Sequence, residues 1–128
     1  VKSGDFLLTN SMSFGRPYIL KTSGCIHDGW LVLSPQIADF DADYFYTLLG
    51  SQAVFTEFSK RAAGATVKNL NIDLVSGVEV AVPPLHEQRK FAEAVEAIEA
   101  IKSRGESSAS QLDGLFESLQ ARAFSGEL

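Results

Sequence analysis

Apolar and polar positions change rhythm twice along the chain. Up to about residue 40, apolar residues come in short runs between turn-formers. Asp5–Thr9 follows the turn signal Ser3-Gly4 and reads as a strand. Tyr18–Leu20 and Trp30–Leu33 read as two more, parted by Thr22–Gly29 with its two glycines. Asn10 to Pro17 has the composition of a loop: small polar residues, a glycine, then proline. From Asp41 the rhythm becomes helical. Tyr44, Phe45, Leu48, Leu49, Phe55 and Phe58 fit an amphipathic helix with an aspartate near its start and an end around Ala62–Gly64. Asn71–Leu74 predicts a turn or short helix, and Val78, Val80 and Val82 alternate as a strand would.

The second change comes at Pro83-Pro84. Residues 85–128 contain no proline and are rich in Glu, Ala, Leu, Lys and Arg, a helix composition. Phe91, Val95, Ile98, Lys102, Gly105, Ala109, Leu112, Phe116, Leu119 and Ala123 follow one another at alternating spacings of four and three, an unbroken heptad seam. Its ends are bulky and its middle is small or polar. Gly105 and the neighbouring serines weaken an isolated helix, so a helix–loop–helix hairpin is the competing arrangement. Unbroken register favours one helix, which over residues 86–123 would span ~57 Å. Such a rod must bury its seam on another helix. Phe91, Val95, Ile98, Leu112, Phe116 and Leu119 are the expected pairing residues. The bulky outer layers suit an antiparallel partner, although the seam by itself does not set direction. Glu93, Glu96, Glu99, Glu106 and Glu117 lie off the seam and make either a protein-docking face or a solvated one.

At 128 residues and 45% hydrophobic, the chain has the length of one domain and enough apolar side chains to bury a core. No uncharged apolar run approaches the ~20 residues of a membrane span. No basic segment leads into an apolar one at the N-terminus. A lone cysteine, Cys25, excludes an intrachain disulfide and a cysteine-based zinc site, which points to a reducing cytoplasm. The chain opens on Val1 and its only methionine is Met12, so a piece of a longer protein is expected. Net charge is −5, with six basic and eight acidic side chains in residues 1–82 and five and eight in residues 83–128. Neither part has the basic excess typical of nucleic-acid binders, so composition leans against DNA and any DNA reading rests on local clusters.

Two clusters qualify. Asn10, Ser11, Ser13 and Arg16 supply amides, hydroxyls and a guanidinium, groups that contact phosphate or a guanine edge. Lys60, Arg61, Thr66, Lys68, Asn69 and Asn71 combine cations that neutralise phosphate with asparagines able to pair with adenine. The plain alternatives are a polar connection between strands for the first. For the second they are cations offsetting a helix dipole, followed by an Asn-rich turn. Cys25, His27 and Asp28 suggest a nucleophile and base, but no orienting group or oxyanion site accompanies them. His86-Glu87 lacks the second histidine of a zinc-protease helix, since position 90 is Lys. No phosphate loop or dinucleotide fingerprint is present, and a non-catalytic chain without a cofactor is expected.

Four stretches in order carry a resemblance. They are Gly4-Asp5-Phe6-Leu7-Leu8-Thr9-Asn10-Ser11 leading to Gly15-Arg16; Gly64-Ala65-Thr66-Val67-Lys68-Asn69-Leu70-Asn71; Pro83-Pro84-Leu85-His86-Glu87-Gln88 before the long helix; and Leu115-Phe116 with Ala121-Arg122-Ala123-Phe124-Ser125-Gly126-Glu127-Leu128. Together they span nearly the whole chain, which resembles the specificity subunits of type I restriction–modification systems. The resemblance implies an α+β fold: a small mixed recognition domain over residues 1–84 and a long protruding C-terminal helix of the antiparallel coiled-coil type over residues 85–128. It implies that the domain reads one half of a bipartite site on double-stranded DNA and that the helix is a spacer. Methyltransferase (modification) subunits would dock along it and bring in the restriction subunit, and those other subunits would do the chemistry. In that family the domain begins upstream of Val1. Met12 and Phe14 stand where the family's first loop carries small residues. Helix pairing is expected either within a two-domain parent or as a homodimer. The competing class is a helix-mediated interaction module with no DNA binding of its own.

Overall fold

The computed structural model describes residues 1–11, 13–63 and 69–127. Three strands, β1 (Phe6–Thr9), β2 (Pro17–Ile19) and β3 (Trp30–Leu33), form an antiparallel sheet in the order β2-β1-β3. Leu7 lies opposite Tyr18 on one side and Val32 on the other. Successive side chains leave a strand on opposite faces, so Phe6 and Leu8 point one way while Leu7 and Thr9 share the other face with Tyr18, Trp30 and Val32. Four helices follow: α1 (Ala42–Leu49), α2 (Gln52–Ala62), α3 (Ile72–Ser76) and α4 (Leu85–Ser125). The fold is α+β with a long C-terminal helix, as the sequence predicts. No helix among the described residues is long and apolar enough to cross a membrane.

The core lies on the Leu8 side of the sheet. Leu8, Val54, Phe58, Leu70 and Val75 are buried together, with Phe14, Leu31, Leu33, Leu48 and Val78 packed around them. Each short helix has a side-chain cap. Asp41, Ser51 and Asn71 accept from the backbone N–H groups of Tyr44, Val54 and Leu74, satisfying donors that the first turn of a helix leaves free.

Two expectations are corrected. The helical stretch from Asp41 is two helices, because Gly50 ends α1 and Ser51 caps α2. The apolar spacing stays in phase across that break and so hides it. Val78, Val80 and Val82 form no strand. Val78 and Val80 instead help line an apolar cavity of about 280 Å³ with Leu33, Phe40 and Phe45.

The chain divides into two compact units, Val1–Ala92 and Glu93–Leu128. The first unit takes in two turns of α4 for a reason that lies in Gln88, which is fully buried. Its Oε1 accepts from Asp41 N at 2.9 Å, and its Nε2 donates to the carbonyls of Asp39 at 3.0 Å and Pro83 at 2.8 Å. Tyr44 Oη donates to Ala81 O, and the Tyr44 ring meets Phe91 edge-on at 5.5 Å. Phe91, expected on the pairing seam, therefore packs on α1 within the first unit, though 45% of it stays exposed. In the second unit α4 runs unbroken through Gly105, which decides the helix against the hairpin.

Gln88→Ala should destabilise the protein by ~2 kcal/mol or more in urea unfolding, since each buried polar group left unpaired costs about 1–3 kcal/mol. A second expectation concerns acid. Asp5 is buried, and its carboxylate accepts from Lys2 N at 2.9 Å and Ser34 Oγ at 2.7 Å. The Lys2 backbone bond first, then the Ser34 hydroxyl, hold its pKa below the ordinary 3.8. A lowered folded-state value means the stabilisation is complete above the ordinary pKa and is lost as pH falls through the depressed one. Asp5→Asn should therefore flatten the acid limb of the stability–pH curve below about pH 4, as read by urea midpoints.

Candidate nucleic-acid interface

Asn10 joins three segments that are far apart in sequence. Its carbonyl accepts from Leu70 N at 2.8 Å, its N–H donates to Gly29 O at 3.3 Å, and its Nδ2 donates to Asp28 O at 3.1 Å. The loop after β1, the turn before β3 and the segment before α3 are thereby held side by side. The loop itself is closed tightly. Thr9 Oγ1 donates to Ser13 O at 2.7 Å and accepts from Arg16 N at 3.0 Å, and Gly15 N donates to Thr9 O at 2.9 Å. Gly15 has φ +70°, and a Cβ there would lie 3.0 Å from the Phe58 ring. This glycine seats the loop on the core; it is not a pliable contact for a ligand. Phe14 also packs on the core and meets Phe55 edge-on at 6.0 Å, so it anchors the loop from beneath.

The residues singled out in the sequence fall into distinct positions. Ser11, Ser13, Arg16 and Asn69 are exposed around the Asn10 junction. Asn10 lies at the centre, half-buried, with its amide N–H committed to Asp28. Its role is to position. Asn71 spends its side-chain oxygen on the cap of α3 at 2.9 Å, which favours the turn reading over adenine contact. Lys60 is paired with Glu57 at 2.8 Å, and the Arg61 guanidinium lies against Gly77 at the end of α3. Both sit in the last turn of α2, where cations offset the helix dipole. The Lys60 ammonium lowers the Glu57 pKa through a hydrogen bond and charge. Thr66 and Lys68 lie outside the described residues. The structure therefore brings the first cluster and Asn69 together, and gives Lys60, Arg61 and Asn71 local tasks.

The turn that precedes β3 joins the Asn10 junction through the carbonyls of Asp28 and Gly29. His27 is held by Gly29 N donating to Nδ1 at 2.9 Å and lies 6.2 Å from the Trp30 ring. Cys25 is exposed. Among the described residues, no three His, Cys, Asp or Glu side chains come together to hold a metal ion. The signal available in the sequence was charge. Residues 1–34 carry three basic and two acidic side chains, against eight and fourteen in the rest.

On the helix, Ile98, Leu112, Phe116 and Leu119 are 43–66% exposed and Val95 is half-buried. Ile101 and Leu115, beside the seam, are exposed as well. These form two exposed apolar patches in one heptad register, parted by Lys102, Gly105 and Ala109, the kind of surface that a packed helix covers.

Gly15→Ala tests whether the loop is seated as described. A left-handed alanine costs about 1–3 kcal/mol, and the displaced Phe58 ring adds to it, so the urea midpoint should fall while the far-ultraviolet spectrum is kept. Compared with family models, curated proteins and solved structures, the chain matches none.

Proposed function

We propose that this chain is a non-catalytic DNA-reading and scaffolding part of a type I restriction–modification specificity subunit, working in the cytoplasm. The polar loops of the first unit contact one half of a bipartite site on double-stranded DNA. The long helix is the spacer and the pairing element, and methyltransferase subunits dock on the assembly and recruit the restriction subunit. Cleavage and methylation belong to those partners. What supports the reading most is the Asn10 junction. Asn10 and Leu70, each within a stretch resembling the family's pattern, are hydrogen-bonded to one another, and Ser11, Ser13, Arg16 and Asn69 close by in the chain are exposed. Guanidinium and amide groups on such a surface read base edges and phosphates, at roughly 1–3 kcal/mol of discrimination per well-made base contact.

The second reading, an interaction module without DNA binding, is favoured by the net charge of −5 and by the exposed apolar patches on α4. Anisotropy titration against random-sequence duplex at low salt separates the two. Binding that weakens steeply with salt supports the DNA reading, and no binding at low salt supports the module. Arg16→Ala should weaken binding across sequences and flatten the salt slope by about 1. An unchanged slope removes Arg16 from the phosphate contacts.

The helix has its own test. Truncating a buried Phe costs about 3–5 kcal/mol, so Phe116→Ala should dissociate a helix-paired dimer in sedimentation experiments. Cross-links should join unlike ends of labelled chains if the pair is antiparallel.

A further inference from the structure

The outer face of the sheet carries an aromatic pair next to the Asn10 junction. Tyr18 on β2 and Trp30 on β3 both lie on the face opposite the core and flank β1. Their rings meet edge-on with centroids 5.6 Å apart. Tyr18 is 41% exposed and Trp30 half-buried, so neither is covered as a core aromatic would be. Trp30 directly follows Gly29, whose carbonyl Asn10 holds, so the pair adjoins the polar loop surface. Arg16 is exposed and precedes Tyr18 by two residues, and Thr9 N donates to the Arg16 carbonyl beside the end of β2. The surrounding segment, residues 1–34, has a basic excess of one in a chain whose net charge is −5.

A partly exposed aromatic pair, in a segment of slight positive balance with Arg16 close in sequence, suits a ligand with flat faces and negative charge. A nucleic-acid strand has both, since bases stack on aromatic side chains while the backbone is drawn to cations. Inside a duplex the base faces are covered by neighbouring bases. They become available only where a base is unpaired, as happens when a base is swung out for modification and its partner is left behind. We infer that Trp30 and Tyr18 form a stacking surface for an unpaired nucleobase. The inference rests on the DNA reading above and assigns it a second kind of contact, distinct from the polar loops.

Trp30 is the only tryptophan in the chain, so its fluorescence reports on this face alone. The whole chain is titrated at low salt with a duplex, with the same duplex carrying one unpaired thymine, and with an oligothymidylate single strand. Binding is followed by anisotropy of labelled DNA and stacking by Trp30 emission. The expected result is quenching of Trp30 by the two ligands with unpaired bases, which bind roughly five- to a hundredfold tighter than the duplex allows at this face. Tyr18→Ala should reduce that preference without changing the salt slope. Because the fluorescence test uses the unaltered protein, a folding defect in the variant does not decide the outcome. Equal binding of all three ligands with unchanged Trp30 emission overturns the stacking surface and leaves the DNA reading standing. Absence of binding to any of them overturns both.

Discussion

The structure of the first unit depends on one buried amide. Gln88 has no exposed surface, and each of its side-chain hydrogen bonds reaches a residue outside α4: Asp41 at the start of α1, Asp39 before it, and Pro83 at the end of the connection. A primary amide offers two donors and one oxygen acceptor, and here both kinds are used. An apolar residue in its place would leave the Asp41 N–H and two carbonyls without partners. A charged one would bury an ion. The amide meets the needs of three backbone segments while carrying no charge, and it makes the first two turns of α4 part of the same packing unit as the sheet. Asp41 extends the chain of bonds, since its own carboxylate caps α1 through Tyr44 N.

Asn10 repeats the device on the loop side. One residue uses its carbonyl, its N–H and its side-chain amide to hold three segments. Both junctions are made of neutral amides, which join backbone groups without the desolvation cost of a buried ion. The consequence for function is economy of exposed chemistry. Asn10 and Thr9 spend their polar groups on holding the loops, and Ser11, Ser13, Arg16 and Asn69 are exposed.

The three strands were legible to within a residue at each end, because turn-formers punctuate them. The helical character of residues 42–62 was legible too. The break at Gly50-Ser51 was not, since the apolar positions on either side remain in phase. The alternation Val78-Val80-Val82 is real, but a strand also needs a ladder partner, and that is a property of the packed chain. The long helix was legible through Gly105 because the heptad register never slips. Among the site residues, exposure separated the candidates. Asn71 and Asn10 carry the right chemistry for reading bases, but their side chains are occupied by a cap and by Asp28. Gln88 closes the Pro83–Gln88 stretch, yet a glutamine in a run of charged residues gives no sign of being the most buried polar side chain nearby.

The central claim is that two amide junctions, the buried Gln88 and the half-buried Asn10, close the first unit, so the segments they join open only with its core. Native-state hydrogen exchange measures this residue by residue. Asp41 N–H, bonded to Gln88 Oε1, and Leu70 N–H, bonded to Asn10 O, both lie outside any ladder or helix interior. The account predicts that these two amides exchange with the same opening free energy as the amides of β1, through global unfolding of the unit. Exchange of either one at the rate of an exposed loop amide, while β1 stays protected, would contradict it.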